Sequence, residues 1–205
     1  MMRATIRKKP FYIRELAQMR AIISPARDEI LDAVAANGPC TVTGLGEFLG
    51  RKPDSLYHHI RVLRKVGLLL ETFSTNFQGR ATAVYDVPGR PIFLRYDLRD
   101  PRKVRAVTAY AGSAVRIAHR RFAQGFKSGH PVVSGTARNL WAARWRGWLT
   151  MTELRESNVL LNRLVELHRT GGSRGSGEAR LYDFTYVVSP GLTRTGTRPV
   201  RKRFT

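Results

Sequence analysis

The chain has 205 residues, and its 36 Lys and Arg against 15 Asp and Glu give a formal net charge of +21 at pH 7. Its single cysteine, Cys40, excludes an intrachain disulfide and a cysteine-rich metal site. No segment reaches the roughly 20 apolar residues that span a bilayer, and no signal-peptide pattern is present. We therefore expect a soluble, cytoplasmic protein without a membrane partner. The positive charge indicates either a generally basic surface or a nucleic-acid partner.

The first 50 residues contain a series of short helix signals. Residues 1–10 are basic and lack periodicity, which predicts an N-terminal arm. A short helix is predicted over 11–20, and Ser24 followed by Pro25 is typical of the start of a second helix. That helix is expected to end at 37–39, because Asn-Gly-Pro stops helices. Residues 40–42 then favour a short strand.

The next two helices are separated by a short turn. Thr43 is the predicted cap of the first, whose inward-facing residues are expected to be Leu45, Phe48 and Leu49. Pro53 is predicted to open the second helix. Lys52 stands where a capping Ser or Thr is usual, so we expect Asp54 to hold this helix start instead.

The most informative segment of the chain is 55–69. Apolar residues recur there at helical spacing and predict one buried stripe, formed by Leu56, Ile60, Leu63 and Val66. Gly67 supplies the left-handed residue that ends a helix. A short basic helix that ends at glycine and leads directly into a strand is the arrangement of a recognition helix followed by a wing. This segment therefore predicts DNA binding.

A hairpin and a break in the pattern follow the recognition helix. Strands are predicted over 68–73 and 81–87, around a loop at 74–80. The Pro-Gly-Arg-Pro run at 88–91 indicates a domain boundary, after which 92–94 favours a further short strand.

The C-terminal half begins with a long helix that starts at Pro101. Its apolar seam is formed by Val104, Val107, Ala111, Ala114, Ala118 and Phe122, with Phe126 as an extension. Such a seam must pack on its own domain or on a second copy of the chain. The tryptophans of 139–149 fit a helix face or an alternating strand, and we favour the strand. They are expected to form ordinary core or dimer interface, the alternative being the roof of a small apolar effector pocket.

The remaining residues predict one helix and one strand. Thr150 and Glu153 match a capping box for a helix that continues to about residue 169. A flexible linker is expected over 171–177 and a strand over 181–188. Residues 190–205 form a basic tail that we expect to be disordered.

Residues 24–85 resemble the ArsR-like (arsenic-repressor-like) winged-helix transcriptional regulators. The resemblance depends on residues spread along several elements, namely Pro25, Arg27, Ile30, Leu31, Thr41, Val42, Thr43, Leu45, Leu49, Gly50, the run Ser55-Leu56-Tyr57-His58-His59-Ile60, Leu63, Gly67, Leu68, Gly79, Arg80 and Tyr85. It implies an α+β fold, with a winged helix-turn-helix domain over 11–90 and a dimerisation or effector domain over 91–189. It also implies a homodimeric regulator of transcription, expected to be a repressor, with a possible small-molecule effector. Metal-sensing members use paired cysteines that this chain lacks, so we expect no metal and no cofactor.

Nine residues are the predicted contacts with double-stranded DNA: Lys52, Ser55, Tyr57, His58, His59, Arg61, Arg64, Lys65 and Arg80. Those early in the recognition helix can carry donors and acceptors to base edges in the major groove. Arg61 is suited to reading guanine or to clamping a phosphate, and His59 either contacts phosphate or packs. Arg64 and Lys65 are better placed for phosphates, together with the tail. Arg80 enters a minor groove or remains solvated at the wing tip.

Other function classes receive less support from the residues. His58 and His59 are adjacent and project from different helical faces, so a shared metal site is not expected. Cys40 is interpreted as a small buried residue rather than a redox sensor. No Gly-rich phosphate loop, nucleophile elbow or His/acid constellation is present, so we predict no enzymatic activity. The alternative to a regulator is a structural protein that binds DNA or RNA without sequence preference.

Overall fold

The computed structural model describes residues 9–75, 81–170 and 180–191. They form a mixed helical and sheet structure, which confirms the expected α+β class. In chain order the elements are β1 (Phe11–Ile13), α1 (Leu16–Ile22), α2 (Pro25–Asn37), α3 (Val42–Leu49), a 3-10 turn (Pro53–Ser55), α4 (Tyr57–Lys65), β2 (Leu70–Thr75), β3 (Ala81–Asp86), β4 (Ile92–Leu94), α5 (Pro101–Gly125) and α6 (Met151–Thr170). Among these residues, no helix is both long enough and apolar enough to cross a bilayer.

The helix predicted over 11–20 is wrong in its first half. Residues Phe11–Ile13 are a strand that pairs in parallel with Ile92–Leu94. The helix begins only at Leu16, after a capping box in which Glu15 and Gln18 bond each other's backbone. Local sequence favoured a helix, but a pairing partner about eighty residues away decides the conformation. The arm predicted for residues 1–10 lies almost entirely outside the described residues.

The starts of α2 and α3 differ in how well the sequence predicted them. Ser24 and Pro25 occupy the expected N-cap and first helical positions, although the Ser24 side chain makes no capping bond. In α3 the cap is Thr41 rather than Thr43: its Oγ1 accepts from the Gly44 amide at 3.1 Å. The predicted strand at 40–42 is reduced to one bridge between Cys40 and Tyr85, because Val42 already begins the helix.

The core is built around α4. Leu56, Ile60 and Leu63 are buried as predicted, and Val66 is half-buried against the same cluster. The helix leads into Gly67 with φ +73°, the left-handed conformation expected there. Leu45 lies in the core and Leu49 is half-buried, but Phe48 is 41% exposed, contrary to the prediction that it faces inward.

The wing is an antiparallel hairpin of β2 and β3. Its register runs from Leu70 opposite Asp86 to Thr75 opposite Ala81. The inner part of the hairpin joins the core through Tyr85, which is buried. The loop residues 76–80, including Arg80 and Gly79, lie outside the described residues.

The segment after residue 91 packs on the preceding one. β4 pairs with β1, and Ala106 of α5 belongs to the same hydrophobic core as α2 and α4. The predicted boundary at 88–91 remains a prediction, but residues of both sides share this core. On α5, Ala106 and Ser113 are buried, and Val107 and Tyr110 pack against the core. Of these four residues only Val107 belongs to the predicted seam, so the buried face of the helix is rotated by about one residue from the prediction.

The C-terminal part contains one predicted helix but neither predicted strand. The capping box is confirmed: the Thr150 amide donates to Glu153 at 2.6 Å, and the Glu153 amide donates to Thr150 Oγ1 at 3.2 Å. Residues 139–149 and 181–188 are irregular, and Trp145 is 82% exposed. A strand needs a neighbour for its backbone hydrogen bonds, and the described part of one chain supplies none here. The linker at 171–177 and the tail after 191 lie outside the described residues.

Candidate nucleic-acid interface

A tight turn sets the angle between α3 and α4. α3 leads into Gly50 with φ +62°, and the Arg51 amide donates to the Gly46 carbonyl at 2.8 Å. A Cβ at Gly46 would lie 2.7 Å from the Arg51 carbonyl oxygen, which is too close for any side chain. Glycine at this position therefore allows the chain to turn sharply into α4.

One side of α4 is buried and the other carries polar side chains. Tyr57, Arg61 and Lys65 follow each other at intervals of four residues, so they lie along one face. The predicted site residues exposed on this helix and the turn before it are Lys52, Ser55, Tyr57, His58, Arg61, Arg64 and Lys65. The structure therefore brings together most of the predicted site, as a continuous basic and aromatic surface.

The turn before α4 is closed by hydrogen bonds to the backbone carbonyls of Lys52 and Pro53, without a side-chain cap. Ser55 Oγ donates to the Lys52 carbonyl at 2.7 Å, which uses its proton within the turn. No side-chain capping bond is present at Lys52 or at Leu56. Asp54 lies in the first turn of the 3-10 segment, where a carboxylate is favourable to the helix dipole, and its role in holding the helix start stays a prediction. Ser55 retains its oxygen lone pairs as acceptors towards a base edge.

Arg64 is tied to the wing. Its guanidinium forms an ion pair with Glu71 of β2, and Glu71 also accepts from the Tyr85 hydroxyl at 2.8 Å. Burial, followed by this hydrogen bond, raises the pKa of Tyr85 to about 12. The Arg64 charge is largely balanced by Glu71. Within the described residues, Arg61 and Lys65 form no ion pair and remain available to an anionic partner.

His59 lies at the edge of the buried stripe. Its Nδ1 is buried without a hydrogen-bond partner among the described residues. Burial, and then the neighbouring His58, Arg27 and Arg51, lower the pKa of His59 below its ordinary value. A neutral imidazole is a weak phosphate ligand, so this environment favours the packing alternative for His59.

Sequence reasoning missed a buried carboxylate behind the turn. Glu29 of α2 has a side chain that is only 10% exposed, and it pairs with Arg51. It also lies 3.2 Å from Arg121 and 3.8 Å from Arg120 of α5. Glu29 thus connects the turn before α4 to the long helix. An isolated Glu at a polar helical position gave no sequence signal, because its partners are distant in the chain.

The described residues offer little for metal binding or for thiol chemistry. Among the described residues, no three His, Cys, Asp or Glu side chains are grouped closely enough to hold a metal ion. Cys40 is half-buried, and burial followed by nearby Asp86 raises the pKa of its thiol. A protonated thiol is a poor nucleophile and a poor metal ligand.

The geometry agrees with the comparison with known families. Residues 22–72 match the family model of a helix-turn-helix domain. This segment is a helix-turn-helix domain. The match contains α2, α3, α4 and the start of β2. Within it, α3 and α4 are joined by the short turn at Gly50, and α4 carries the exposed basic face. A helix-turn-helix domain suggests DNA as the partner of this segment and is typical of transcription regulators. No curated protein matches the chain.

Proposed function

We propose that the protein is a sequence-specific regulator of transcription of the ArsR-like type, acting as a homodimeric repressor. The observation that carries the proposal is the outward face of α4, where Tyr57, Arg61 and Lys65 are exposed while Leu56 and Leu63 are fixed in the core. A recognition helix requires this combination of a rigid inner side and a polar outer side.

The exposed residues of α4 divide into those placed to contact base edges and those placed to contact phosphates. Tyr57 and Arg61 lie in its first two turns, the part of a recognition helix that contacts base edges. Arg61 is suited to a bidentate contact with guanine. Lys65 is the last residue of the helix and is placed for a phosphate. Repression then needs only occupancy of a promoter by the bound dimer.

Replacing Arg61 with alanine should narrow the preference for the specific site over random DNA by about 1–3 kcal/mol, because one base contact is lost. The site would first be selected from random duplexes with the wild-type chain. Binding titrations on that site and on a scrambled duplex, at several salt concentrations, measure the preference. If the variant kept the wild-type preference for the selected site, α4 would dock differently or would not be the helix that contacts the bases.

Lys65→Ala is the matched control, since it removes one charge from the same face. It should weaken binding to both duplexes alike and reduce the salt slope by about one. The second candidate function, a nucleic-acid-binding structural protein without sequence preference, is favoured by the net charge of +21. For such a protein the wild type itself would fail to discriminate between competitor sequences.

Dimerisation is assigned to the C-terminal half. Its tryptophans are exposed in the single chain, as are Val159, Leu160 and Leu164 along α6. A lone helix with this much exposed apolar surface gains little stability in water. α6 carries three Glu and three Arg, so two copies can approach there without net repulsion although the whole chain is strongly positive.

We expect light scattering at micromolar concentration to give twice the chain mass of 23.2 kDa. Leu160→Asp should shift the population towards monomer, because a carboxylate is costly in an apolar interface. Leu98→Asp, on an exposed loop outside α6, is the control and should remain a dimer. A monomeric wild type, with and without DNA, would rule the dimer out. A dimer would bind two half-sites about 34 Å apart.

A further inference from the structure

A basic cleft lies apart from the recognition helix, at the ends of β1 and β4. Its volume is about 560 Å³, and its walls include Arg14, Arg95, Arg99 and Lys103. The parallel pairing places Ile13 opposite Leu94, and the Arg95 amide donates to the Ile13 carbonyl at 2.9 Å. Arg14 and Arg95 are the next residues along the two strands, so the sheet register brings these two cations to the same end.

A tyrosine ring orients the two arginines. The guanidinium carbon of Arg14 lies 5.2 Å from the centre of the Tyr12 ring, and that of Arg95 lies 5.3 Å from it. Tyr12 is itself stacked on Phe93, with ring centres 5.6 Å apart. A cation–π contact of this kind holds a guanidinium near the ring without using its N–H groups as hydrogen-bond donors to a carboxylate. The N–H groups of a guanidinium suit bidentate hydrogen bonds to an oxyanion.

The charges of the cleft are poorly balanced. Four cations line it against one carboxylate, Asp97, which already accepts a hydrogen bond from the Arg99 amide at 2.9 Å. Within the described residues, none of the four cations forms an ion pair. The mutual repulsion of these cations is unfavourable. A bound anion would remove it, and a multiply charged anion would do so most effectively.

We propose that this cleft is a phosphate-binding site. Arg14 and Arg95 donate to the phosphate oxygens, Lys103 adds a point charge, and the exposed ring of Tyr96 is available to stack on a planar group. The volume is within the range of small-molecule sites. Two sources present the same chemistry, a free phosphorylated metabolite of nucleotide size and the backbone of bound DNA. The site contains no residue of α4, so it is independent of the proposed base reading.

The test compares two double variants that remove equal charge from the full chain. Arg14→Gln/Arg95→Gln removes the two arginines that contact Tyr12. Arg105→Gln/Arg116→Gln removes two exposed arginines of α5 outside the cleft. Inorganic pyrophosphate is titrated by calorimetry at fixed ionic strength. We expect equal affinity for the wild type and the α5 variant, and at least tenfold weaker binding for the cleft variant. Equal losses in the two variants, or no binding by the wild type, would overturn the proposal.

Two further arms complete the experiment. If Arg14→Gln/Arg95→Gln does not fold by circular dichroism, Arg99→Gln/Lys103→Gln replaces it with the same expected loss and the same control. Duplex DNA titrations at several salt concentrations then identify the source of the phosphate. A salt slope reduced by about two in the cleft variant alone assigns the site to the DNA backbone. An unchanged slope with lost pyrophosphate binding assigns it to a free phosphorylated ligand.

Discussion

Replacing Leu63 with alanine is expected to lower the free energy of unfolding by about 2–5 kcal/mol. Leu63 is fully buried in α4, and its carbonyl accepts the amide of Leu68 at 2.9 Å where the chain leaves the helix. Removing the side chain leaves a cavity beneath α4. Urea denaturation followed by circular dichroism measures the loss. A typical domain has only about 5–15 kcal/mol of stability, so this loss brings the variant closer to unfolding. We therefore expect the Leu63→Ala variant to lose DNA binding at a lower temperature than the wild type.

Leu98→Ala is the control for this substitution. It deletes the same atoms from a residue that is 78% exposed. The expected change is within about 0.5 kcal/mol, as for surface positions in general. A cost below about 1 kcal/mol for Leu63→Ala would contradict the packing of α4 in the core.

Local signals predicted the helix-turn-helix domain well. The stripe of Leu56, Ile60 and Leu63 needs only the 3.6-residue period and a core to face, and Gly67 needs only its own backbone conformation. The capping box at Thr150 is likewise complete within four residues. Features of this kind depend on neighbours in sequence, so periodicity and capping rules were sufficient to find them.

Features that depend on distant partners were missed or misassigned. The strand Phe11–Ile13 exists because Ile92–Leu94 pairs with it, and no local pattern encodes that pairing. The same holds for the role of Glu29, whose charge is balanced by arginines of a turn and of α5. The strands expected at 139–149 and 181–188 have no pairing neighbour within the described part of one chain. Their aromatic and β-branched residues fit a sheet or an interface equally well.

In the candidate site too, features that depend on local sequence were predicted and those that depend on distant partners were not. The sequence predicted which α4 residues are exposed, because the buried stripe fixes the opposite face. It did not predict that Arg64 is paired with Glu71 of the wing, or that His59 is partly enclosed between basic neighbours. Both depend on where the hairpin and the turn at Arg51 lie relative to α4. Arg61 and Lys65 are therefore the better targets for mutation.

Asp28 should make the stability of the protein depend on pH. This residue of α2 is only 6% exposed. Burial is the main cause that raises its pKa from 3.8 to about 8, and the neighbouring carboxylates of Asp32 and Glu29 add to it. On α5, burial and then the neighbouring carboxyl groups of Asp28 and Asp32 raise the pKa of the Tyr110 hydroxyl. The folded protein therefore holds Asp28 in its neutral form under conditions where the unfolded chain ionises.

The direction of the effect follows from that difference. A raised carboxyl pKa favours folding fully below about pH 4, and this contribution is lost as the pH rises to about 8. At about 1.36 kcal/mol for each pKa unit, the upper limit of this change in the free energy of unfolding between low and high pH is ~6 kcal/mol. Relaxation around the ionised group should reduce this to about 2–4 kcal/mol.

Asp28→Asn removes the titrating group while keeping its size, so the variant should lose this pH dependence. At pH 9 we expect it to be more stable than the wild type by about 2–4 kcal/mol, and at pH 4 the two should agree within about 1 kcal/mol. Urea midpoints between pH 4 and pH 9 measure the difference. Asp54→Asn, at an exposed position before α4, is the matched control and should follow the wild-type curve. Parallel curves for Asp28→Asn and the wild type would show that Asp28 ionises normally and that its carboxyl group is solvated.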